Sequence, residues 1–463
     1  MPNTNYKKLK IVIIGAGSVN FCPATMSDIV SSEMLNSLPL EVVLMDIDGK
    51  ALEVSGKFAQ KIIGKAGRNI KLSSTVNLDE AVRGADFVIT AIEVDRYRYW
   101  AQDFHIPRKY GFRQIYGENG GPGGMFHFLR NAPPMLKIAQ AMEKNCPEAY
   151  LLNYTNPEAK LVEAISKLTK IKTVGICHGF NGGVHQIAQI LEREPDSLDV
   201  AGYGLNHFGF MTEIKDKNTG EDLYPLFREK ELEGHILSNF DEWGLSRIML
   251  RTFGLWPYPG TNHIGEYIAW SDAFLAGTTV QYFYDPVREN PWDIGNPPPM
   301  FVYSFAAHPT DVPFNHKEPD RQQQYEYYFE QGEIKPSTEY GIPIIEGIVF
   351  DLRRHIPSLN TLNHGTIPGV IDGMCIEGPC VIDKDGIHPV KVAALPTAIE
   401  GMLNVQGYVQ RLIIEALTEN SRGKLLQAVM LDPTVSTYNN AVAMINEIFE
   451  LQKDIIAPLK WQN

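Results

Sequence analysis

Residues 9–17 read Leu-Lys-Ile-Val-Ile-Ile-Gly-Ala-Gly, a run of branched apolar residues that ends at a glycine turn. Such a run is typical of a strand that is buried on both faces of a parallel sheet. Strand and helix patterns then alternate as far as residues 173–177. This alternation predicts βαβ units wound on both faces of one sheet. We therefore place a Rossmann-like, doubly wound α/β domain at residues 1–195.

The sequence pattern changes after this domain. Two extended stretches within residues 198–216 predict antiparallel strands packed beside the first domain. Residues 284–320 contain many prolines, which indicates a surface loop or lid. Residues 391–427 have the apolar spacing of helices. We assign residues 196–463 to a second, α+β domain for catalysis, substrate binding and oligomerisation, in an architecture like that of lactate and malate dehydrogenases.

Composition excludes several classes of protein. The 463 residues include 42 Lys and Arg against 55 Asp and Glu, a net charge of −13, so we expect no nucleic acid as partner. No apolar run approaches the roughly 18–20 residues that span a bilayer, so we expect no membrane segment. Five cysteines in a chain of this length favour reduced thiols and a cytoplasmic location. The expected assembly is a homodimer or homotetramer.

The glycine turn has the pattern of a dinucleotide site. It reads Gly-Ala-Gly-Ser-Val-Asn from Gly15 to Asn20. Gly15 and Gly17 would let a pyrophosphate approach backbone N–H groups at the start of a helix, where the helix dipole favours an anion. We include Ser18 in this site. Asn20 replaces the third glycine of the pattern, so a tight turn without a cofactor is the alternative.

An acidic residue at the end of the second apolar run supports the cofactor interpretation. Asp46 lies 29 residues after Gly17 and can accept hydrogen bonds from both ribose hydroxyls while repelling a 2′-phosphate. We prefer Asp46 to Asp48 because Asp46 terminates the apolar run. The turn and the acid together predict NAD+ rather than NADP+.

Polar motifs follow the later predicted strands, where open α/β sheets bind their ligands. Cys177 and His207 belong to two of these motifs, and they are residue types that hold a borderline metal ion. The alternative is a buried cysteine that acts as a small apolar residue and a histidine bonded to the backbone. The motifs are Asn153-Tyr154-Thr155-Asn156-Pro157, Cys177-His178-Gly179-Phe180, Gly204-Leu205-Asn206-His207-Phe208, and a glycine-rich loop from Gly117 to Gly124.

In this order the motifs resemble glycoside hydrolase family 4, the NAD- and divalent-metal-dependent glycosidases. The resemblance covers nearly the whole chain and includes Gln-Asp-x-x-Ile-Pro-x-Lys-Tyr-Gly at residues 102–111. It implies a glycosidase that uses NAD+ and Mn2+, or another divalent metal, on a small carbohydrate substrate. The implied reaction oxidises C3 of the sugar by hydride transfer to NAD+, removes the C2 proton, eliminates the aglycone, adds water and returns the hydride to C3, so NAD+ is regenerated.

The resemblance also implies roles for single residues. Cys177 and His207 would hold the metal ion. Asn156 would bind the substrate beside the nicotinamide, and we include Asn153 in the substrate site. His178 falls where the family has the acid that protonates the leaving oxygen.

The base that removes the C2 proton is implied within residues 256–267. Thr261 stands where some members carry Asp, so Tyr258, His263 and Tyr267 compete for the role. We favour Tyr267, with a core aromatic as the alternative. Glu118 matches an acid that supports the base in some members.

Substrate preference is the finest expectation. The Cys177-His178-Gly179 motif resembles the α-glucuronidase group, and the carboxylate of a glucuronide would need a cation such as Arg130, Arg353 or Arg354. The same family offers α-glucosidase, α-galactosidase and α-galacturonidase as alternatives. Trp100 stands where phospho-sugar members carry an arginine, which argues against a 6-phosphate. Outside this chemistry, the rivals are an NAD-dependent 2-hydroxy acid dehydrogenase and a non-catalytic NAD-binding regulator.

Overall fold

The computed structural model of the protein describes residues 6–233, 243–274, 334 and 336–461. The proline-rich segment predicted as a loop or lid at residues 284–320 lies outside the described residues. In the described part, no helix is long and apolar enough to cross a membrane.

Twelve strands form one sheet within the described residues. Their order is β3-β2-β1-β4-β5-β6-β10-β11-β7-β8-β9, and β12 pairs with β11. The strands are β1 (Leu9–Ile14), β2 (Leu40–Met45), β3 (Ile70–Thr75), β4 (Phe87–Thr90), β5 (Tyr150–Asn153), β6 (Lys172–Gly175), β7 (Leu198–Leu205), β8 (Phe208–Asp216), β9 (Trp256–Tyr258), β10 (Arg354–Leu362), β11 (Cys375–Asp383) and β12 (Gly386–Pro389).

The first six strands are parallel and have the Rossmann order 3-2-1-4-5-6. Side chains of β1 alternate between two apolar clusters, one on each face of the sheet. Ile11 and Ile13 belong to one cluster, and Val12 and Ile14 belong to the other. This burial on both faces explains the continuous apolar run in the sequence and confirms the predicted fold class.

The later strands extend this sheet. Strand β10 runs antiparallel to β6, with Asn360 opposite Gly175, and β11 and β7 follow it. The expected antiparallel strands within residues 198–216 are confirmed, since β7 and β8 pair antiparallel. They do not form a separate sheet beside the first domain, because β10 joins the antiparallel strands to the edge of β6.

Helices cover both faces of the sheet. The described helices are α1 (Phe21–Ser31), α2 (Gly49–Lys65), α3 (Leu78–Val82), α4 (Arg96–Lys109), α5 (Gly121–Asn145), α6 (Glu158–Leu168), α7 (Gly179–Leu191), α8 (Tyr224–Glu233), α9 (Gly244–Phe253), α10 (Thr261–Gly265), α11 (Gly341–Phe350), α12 (Thr397–Thr418), α13 (Arg422–Leu431) and α14 (Tyr438–Leu451). The helical run predicted from residue 391 begins at Thr397, because Pro396 disfavours helical backbone in the residue before it.

The carboxyl-terminal helices complete the core of the first half. Residues of α12, α13 and α14 share one apolar cluster with α5 and α6. Phe449 packs edge-on against Phe126, with ring centroids 5.6 Å apart. These contacts hold α5 and α6, which carry part of the candidate site, against the sheet.

Candidate active site

The glycine turn after β1 lies close to the ends of two neighbouring strands. The N–H groups of Gly15 and Ala16 donate to the carbonyl of Met45 over 3.0 and 3.1 Å. Gly15 has φ of +83°, and a Cβ atom there would collide with the carbonyl of Ala91. The turn therefore requires glycine at this position.

Asp46 follows β2 and is bonded to the glycine turn. Its Oδ2 accepts the N–H of Gly17 over 2.7 Å, and its Oδ1 accepts the N–H of Asp48 over 2.9 Å. Each oxygen keeps a further lone pair for a ribose hydroxyl. Asp48 instead caps α2 by accepting the N–H groups of Lys50 and Ala51. The geometry supports the choice of Asp46 over Asp48.

Ser18 helps to build the end of α1 that faces the turn. Its Oγ accepts the N–H of Phe21 over 3.1 Å. The hydroxyl therefore orders a helix N-terminus of the kind that binds anions, and a direct contact between Ser18 and the cofactor stays a prediction.

The two asparagines after β5 have different environments. Asn153 is fully buried. Its Oδ1 accepts hydrogen bonds from the Thr90 hydroxyl and the Thr155 N–H, each over 3.0 Å. Its Nδ2 donates to the Thr155 carbonyl. These contacts give Asn153 a role in shaping the loop, and its place in the substrate site stays a prediction. Asn156 is half-buried at the end of this loop, and its carbonyl accepts Asn131 Nδ2 over 2.8 Å. The side chain of Asn156 remains the substrate candidate.

Glu118, His207 and His263 form a cluster of potential metal ligands. One ligand atom from each of the three lies within 4.8 Å of the others. His207 occupies the turn between β7 and β8 with φ of +62°, and its ring lies 4.3 Å from that of His263. Asn119 Nδ2 lies 2.9 Å from His207 Nδ1 and fixes the plane of the ring.

Charge in this cluster is divided between an ionised acid and two neutral rings. Burial disfavours the ionised form of Glu118, but Arg96, whose Nη2 lies 2.6 Å from Glu118 Oε1, helps to lower its pKa to about 2. Burial lowers the pKa of His207 to about 4 and that of His263 to about 3. The cluster therefore offers a carboxylate and two imidazoles in the form that binds metal ions.

Cys177 follows β6 and lies beside buried carboxyl groups. Burial raises the pKa of its thiol, and Glu158 and Glu377 raise it further. Asn206 Oδ1, in the same surroundings, is buried without a hydrogen-bond partner among the described residues. A thiol, two nearby carboxyl groups and an unpartnered amide oxygen fit a cation. Cys177 does not join the described three-residue ligand cluster of Glu118, His207 and His263.

The three candidates for the C2 base have different surroundings. Tyr267 is buried, its ring stacks on Phe208, and its hydroxyl donates to the Asn206 carbonyl over 3.2 Å. Tyr258 is fully buried in the core. Burial raises the pKa of both phenols well above 10, so neither is suited to accept a proton. This burial weighs against Tyr267, whose role as the base stays a prediction. His263, which is half-buried, lies in the ligand cluster.

His178 lies at the start of α7 and is two-thirds exposed, with 67% of its side chain accessible. Its Nδ1 lies 3.2 Å from Glu339 Oε1. The hydrogen bond with Glu339 raises the pKa of His178. A histidine whose charged form is favoured, close to solvent, is suited to donate a proton to a leaving oxygen.

Glu339 belongs to a short segment, residues 336–341, which we call the strap. The strap is bonded to three elements around the candidate site. These bonds join Ser337 to Asp28 of α1, Glu339 to His178, Tyr340 to Asn181 of α7, and the N–H of Gly341 to the hydroxyl of Tyr154.

The arginines expected to meet a substrate carboxylate have partners of their own. Arg130 is buried and paired with Asp103, and Arg354 pairs with Glu346 over 2.7 Å. Arg353 is exposed before β10. Arg96, which the sequence reasoning did not consider, lies next to the ligand cluster and pairs with Glu118.

Other residues of the site were also missed. Asn119 and Asn206 each adjoin a predicted site residue inside a motif, and that adjacency was an available signal. Glu339 and Glu377 reach the site from segments far along the chain, and no local pattern marks them.

Two family models match the chain. Residues 10–193 match the model described as family 4 glycosyl hydrolase, and residues 202–435 match the family 4 glycosyl hydrolase C-terminal domain. An α-glucosidase of Erwinia rhapontici is 30% identical, with 96% of each chain covered. An α-galacturonidase of Thermoanaerobacter italicus is 27% identical, with 97% of each chain covered.

Solved structures share the fold. A 6-phospho-α-glucosidase from gut microorganisms, in complex with NAD and Mn2+, aligns with a TM-score of 0.76 and 22% identity over 98% of this chain and 100% of the other. A malate dehydrogenase of Cryptosporidium parvum aligns with a TM-score of 0.52 and 15% identity over 89% and 99%. The expected dehydrogenase-like architecture is confirmed.

Proposed function

The chain belongs to family 4 of the glycosyl hydrolases, and on that premise we propose that it is an α-glycosidase that uses NAD+ and a divalent metal ion, with Mn2+ as the expected metal. One observation carries this proposal. A dinucleotide-type turn bonded to Asp46 and a buried cluster of metal-binding side chains occur together in the described site. The 6-phospho-α-glucosidase with the same fold was solved in complex with NAD and Mn2+, which supports both cofactors in this proposal.

The residues fit both groups. Gly15 has no room for a Cβ atom, Gly17 donates its N–H to Asp46, and the Asp46 carboxylate would bind the ribose. Cys177 and His207 are the proposed metal ligands, with Glu118 and His263 next to His207. Bound NAD+ would accept a hydride from C3 of the sugar and return it after water has added, and a bound divalent ion would stabilise negative charge on the oxygens at C2 and C3.

Two histidines would move the protons. We assign removal of the C2 proton to His263, because its half-buried ring lies in the ligand cluster, whereas Tyr258 and Tyr267 are buried in apolar clusters. We assign protonation of the leaving oxygen to His178, because its hydrogen bond with Glu339 favours the charged ring. The two proton transfers thus fall to different elements, α10 and the start of α7.

Glu118 and Arg96 would set the charge between these groups. Their ion pair keeps Glu118 ionised, and an ionised carboxylate next to His263 would stabilise the positive ring that forms when it takes a proton. Asn156 would hold the sugar at the end of β5.

For the substrate we propose an unphosphorylated α-glycoside, and within that class an α-glucuronide. The Cys177-His178-Gly179 motif supports the glucuronide, and the α-galacturonidase relative acts on another uronate-type sugar by its name. Trp100 supports the absence of a phosphate group, because its buried indole donates to the Tyr116 carbonyl over 2.8 Å and brings no charge to the site.

The proposal is tested with p-nitrophenyl α-glucuronide, α-galacturonide, α-glucoside and α-galactoside, each with and without NAD+ and Mn2+. We expect cleavage of the glucuronide that requires both additions and leaves no net NADH. Faster cleavage of another sugar would overturn the substrate, and cleavage without NAD+ would overturn the mechanism. Steady NADH accumulation would indicate a dehydrogenase, and NAD+ binding without any turnover would indicate a regulator.

A further inference from the structure

Glu93 follows β4, and its carboxylate collects hydrogen bonds from its surroundings. His127 Nε2 donates to its Oε2 over 2.9 Å, and Asn131 Nδ2 donates to its Oε1 over 3.0 Å. Arg96 Nη1 lies 3.4 Å from Oε2, and the N–H of Val94 donates to Oε1 over 3.0 Å. Because an ionised carboxylate only accepts hydrogen bonds, donors on both oxygens fix the orientation of this group.

Two of these donors also hold the backbone of the candidate site. His127 and Asn131 lie one turn apart on α5, so they face the same side of the helix. Their exposed fractions are 3% and 0%. His127 Nδ1 donates to the carbonyl of Glu118 over 2.7 Å, and Asn131 Nδ2 donates to the carbonyl of Asn156 over 2.8 Å. Each side chain therefore links Glu93 to a residue of the proposed site.

The carboxamide of Asn131 can face only one way. Its Nδ2 points at the carboxylate of Glu93 and the carbonyl of Asn156, and both of these groups accept hydrogen bonds. The opposite atom, Oδ1, is buried without a partner among the residues that the structure describes. Burying an oxygen without a donor is unfavourable. The two hydrogen bonds of Nδ2 are therefore what hold this side chain in place.

The loops that carry Glu93 and Asn156 lie side by side. Strands β4 and β5 are parallel neighbours, with Thr90 opposite Asn153 at their ends. Beyond the strands, the N–H of Ile92 donates to the hydroxyl of Thr155 over 3.0 Å. Asn131 thus adds a second hydrogen bond between the same two loops, one residue further along each.

We propose that Glu93 is a positioning residue for two parts of the site. Through Asn131 it fixes the backbone of Asn156. Through His127 it fixes the backbone of Glu118. The inference rests on the proposed function, which takes Asn156 as the sugar-binding residue and Glu118 as the acid that supports the base. A misplacement of about 1 Å by a substitution away from the reacting atoms can slow an enzyme about 10²-fold.

The contact with Asn156 is tested by steady-state kinetics. The substrate is whichever of the p-nitrophenyl glycosides named above the wild type cleaves fastest. Asn131→Ala should raise KM by about 10- to 100-fold and leave kcat nearly unchanged, because a lost sugar contact weakens ground state and transition state alike. In an Asn156→Ala background the same substitution should raise KM little further, because both act through one contact. A full further rise in KM would overturn the proposal.

The contact with Glu118 should affect the other kinetic constant. In His127→Gln the amide nitrogen can replace Nε2 beside Glu93, but nothing replaces Nδ1 beside the Glu118 carbonyl. We expect kcat and deuterium exchange at C2 of the sugar to fall about 10- to 100-fold, with KM nearly unchanged. Glu93→Gln has the shape of the native side chain but turns an amide nitrogen toward one pair of donors. It should therefore show both effects, a higher KM and a lower kcat.

Asn363→Ala is the matched control. Asn363 is as buried as Asn131, but its side chain bonds to backbone groups of residues 367–371. This variant should lose stability and keep both kinetic constants. Unchanged KM in Asn131→Ala, or equal changes of KM and kcat in the variants of both contacts, would overturn the inference.

A second variant covers a failure to fold. If Asn131→Ala does not fold, Glu93→Gln decides, and wild-type values of KM and kcat in that variant would overturn the inference. If the wild type cleaves none of the p-nitrophenyl glycosides, the proposed function fails instead.

Discussion

Glu339 Oε1 lies 3.2 Å from His178 Nδ1, so the strap is bonded to the residue proposed to protonate the leaving group. Fixing Nδ1 in this way leaves Nε2 as the ring nitrogen that can face the substrate. The strap thus positions a catalytic candidate on a different element, α7.

The contact predicts a dependence on the leaving group. In His178→Ala we expect cleavage of a methyl glycoside to fall by a factor on the order of 10² to 10⁴, the usual effect of a positioned acid. Cleavage of the p-nitrophenyl glycoside should fall much less, because nitrophenolate leaves without protonation. Glu339→Gln should also slow cleavage of the methyl glycoside more than that of the p-nitrophenyl glycoside, but by a smaller factor than His178→Ala. Steady-state kcat/KM with the two substrates measures this ratio, and an equal loss on both would contradict the acid assignment.

The metal assignment predicts separate effects on two ligands. Cys177→Ser and His207→Ala should each abolish metal-dependent activity, because each removes a proposed ligand. NAD+ affinity should stay near normal, since Gly15 and Asp46 lie at other strand ends. Calorimetric titrations with Mn2+ and with NAD+ check both expectations. Loss of NAD+ binding in either variant would indicate a general folding defect.

Asp46 predicts cofactor selectivity. Asp46→Ala should weaken the binding free energy of NAD+ by about 1 to 3 kcal/mol, the cost of losing hydrogen bonds to a charged group. The variant should also have a smaller preference for NAD+ over NADP+. Asp48→Ala is the control, because Asp48 caps α2. It should reduce stability by about 0.5 to 2 kcal/mol and leave the NAD+ to NADP+ ratio unchanged. Equal binding of both dinucleotides to the wild type would exclude the role of Asp46.

The base assignment predicts isotope exchange. During turnover in D2O, deuterium should enter C2 of the released sugar, and His263→Ala should slow this exchange by a factor on the order of 10² to 10⁴. Tyr267→Phe should retain exchange, because the phenol supports the Asn206 turn. Nuclear magnetic resonance of the product measures both. If deuterium exchange is lost in Tyr267→Phe and kept in His263→Ala, then Tyr267 and not His263 is the base that removes the C2 proton.

Asp28 predicts a pH-dependent stability away from the metal site. Burial raises the pKa of this carboxyl to about 6, although the hydrogen bonds from Ser337 lower it. The folded protein then binds a proton more tightly than the unfolded chain does. Stability should therefore fall as pH rises from about 4 to 6, by on the order of 3 kcal/mol. Urea unfolding at several pH values should show this fall in the wild type and not in Asp28→Asn. In Ser337→Ala the loss of stability should extend to higher pH, because the hydroxyl that lowers the pKa of Asp28 is removed.

Local patterns predicted the parallel half of the sheet, because residues such as Val12 and Ile13 are buried on opposite faces and must both be apolar. They also placed Asp46, Cys177 and His207 just after strands, which is where the structure has them, while their roles stay predictions. The junction of β6 with β10 could not be predicted, because it depends on hydrogen bonds between distant segments. The contacts of Glu339 and Glu377 depend on the same long-range pairing.

The pairing of Gly175 with Asn360 has a consequence for how this protein can be divided. A single continuous sheet joins the parallel and antiparallel halves, and the apolar cluster that contains Phe126 also contains Phe449. The two halves are therefore not interchangeable modules. A chimaera that kept residues 1–195 would need a second half that supplies a strand for the β6 edge and helices that cover α5. Joining an unrelated domain at residue 195 would supply neither.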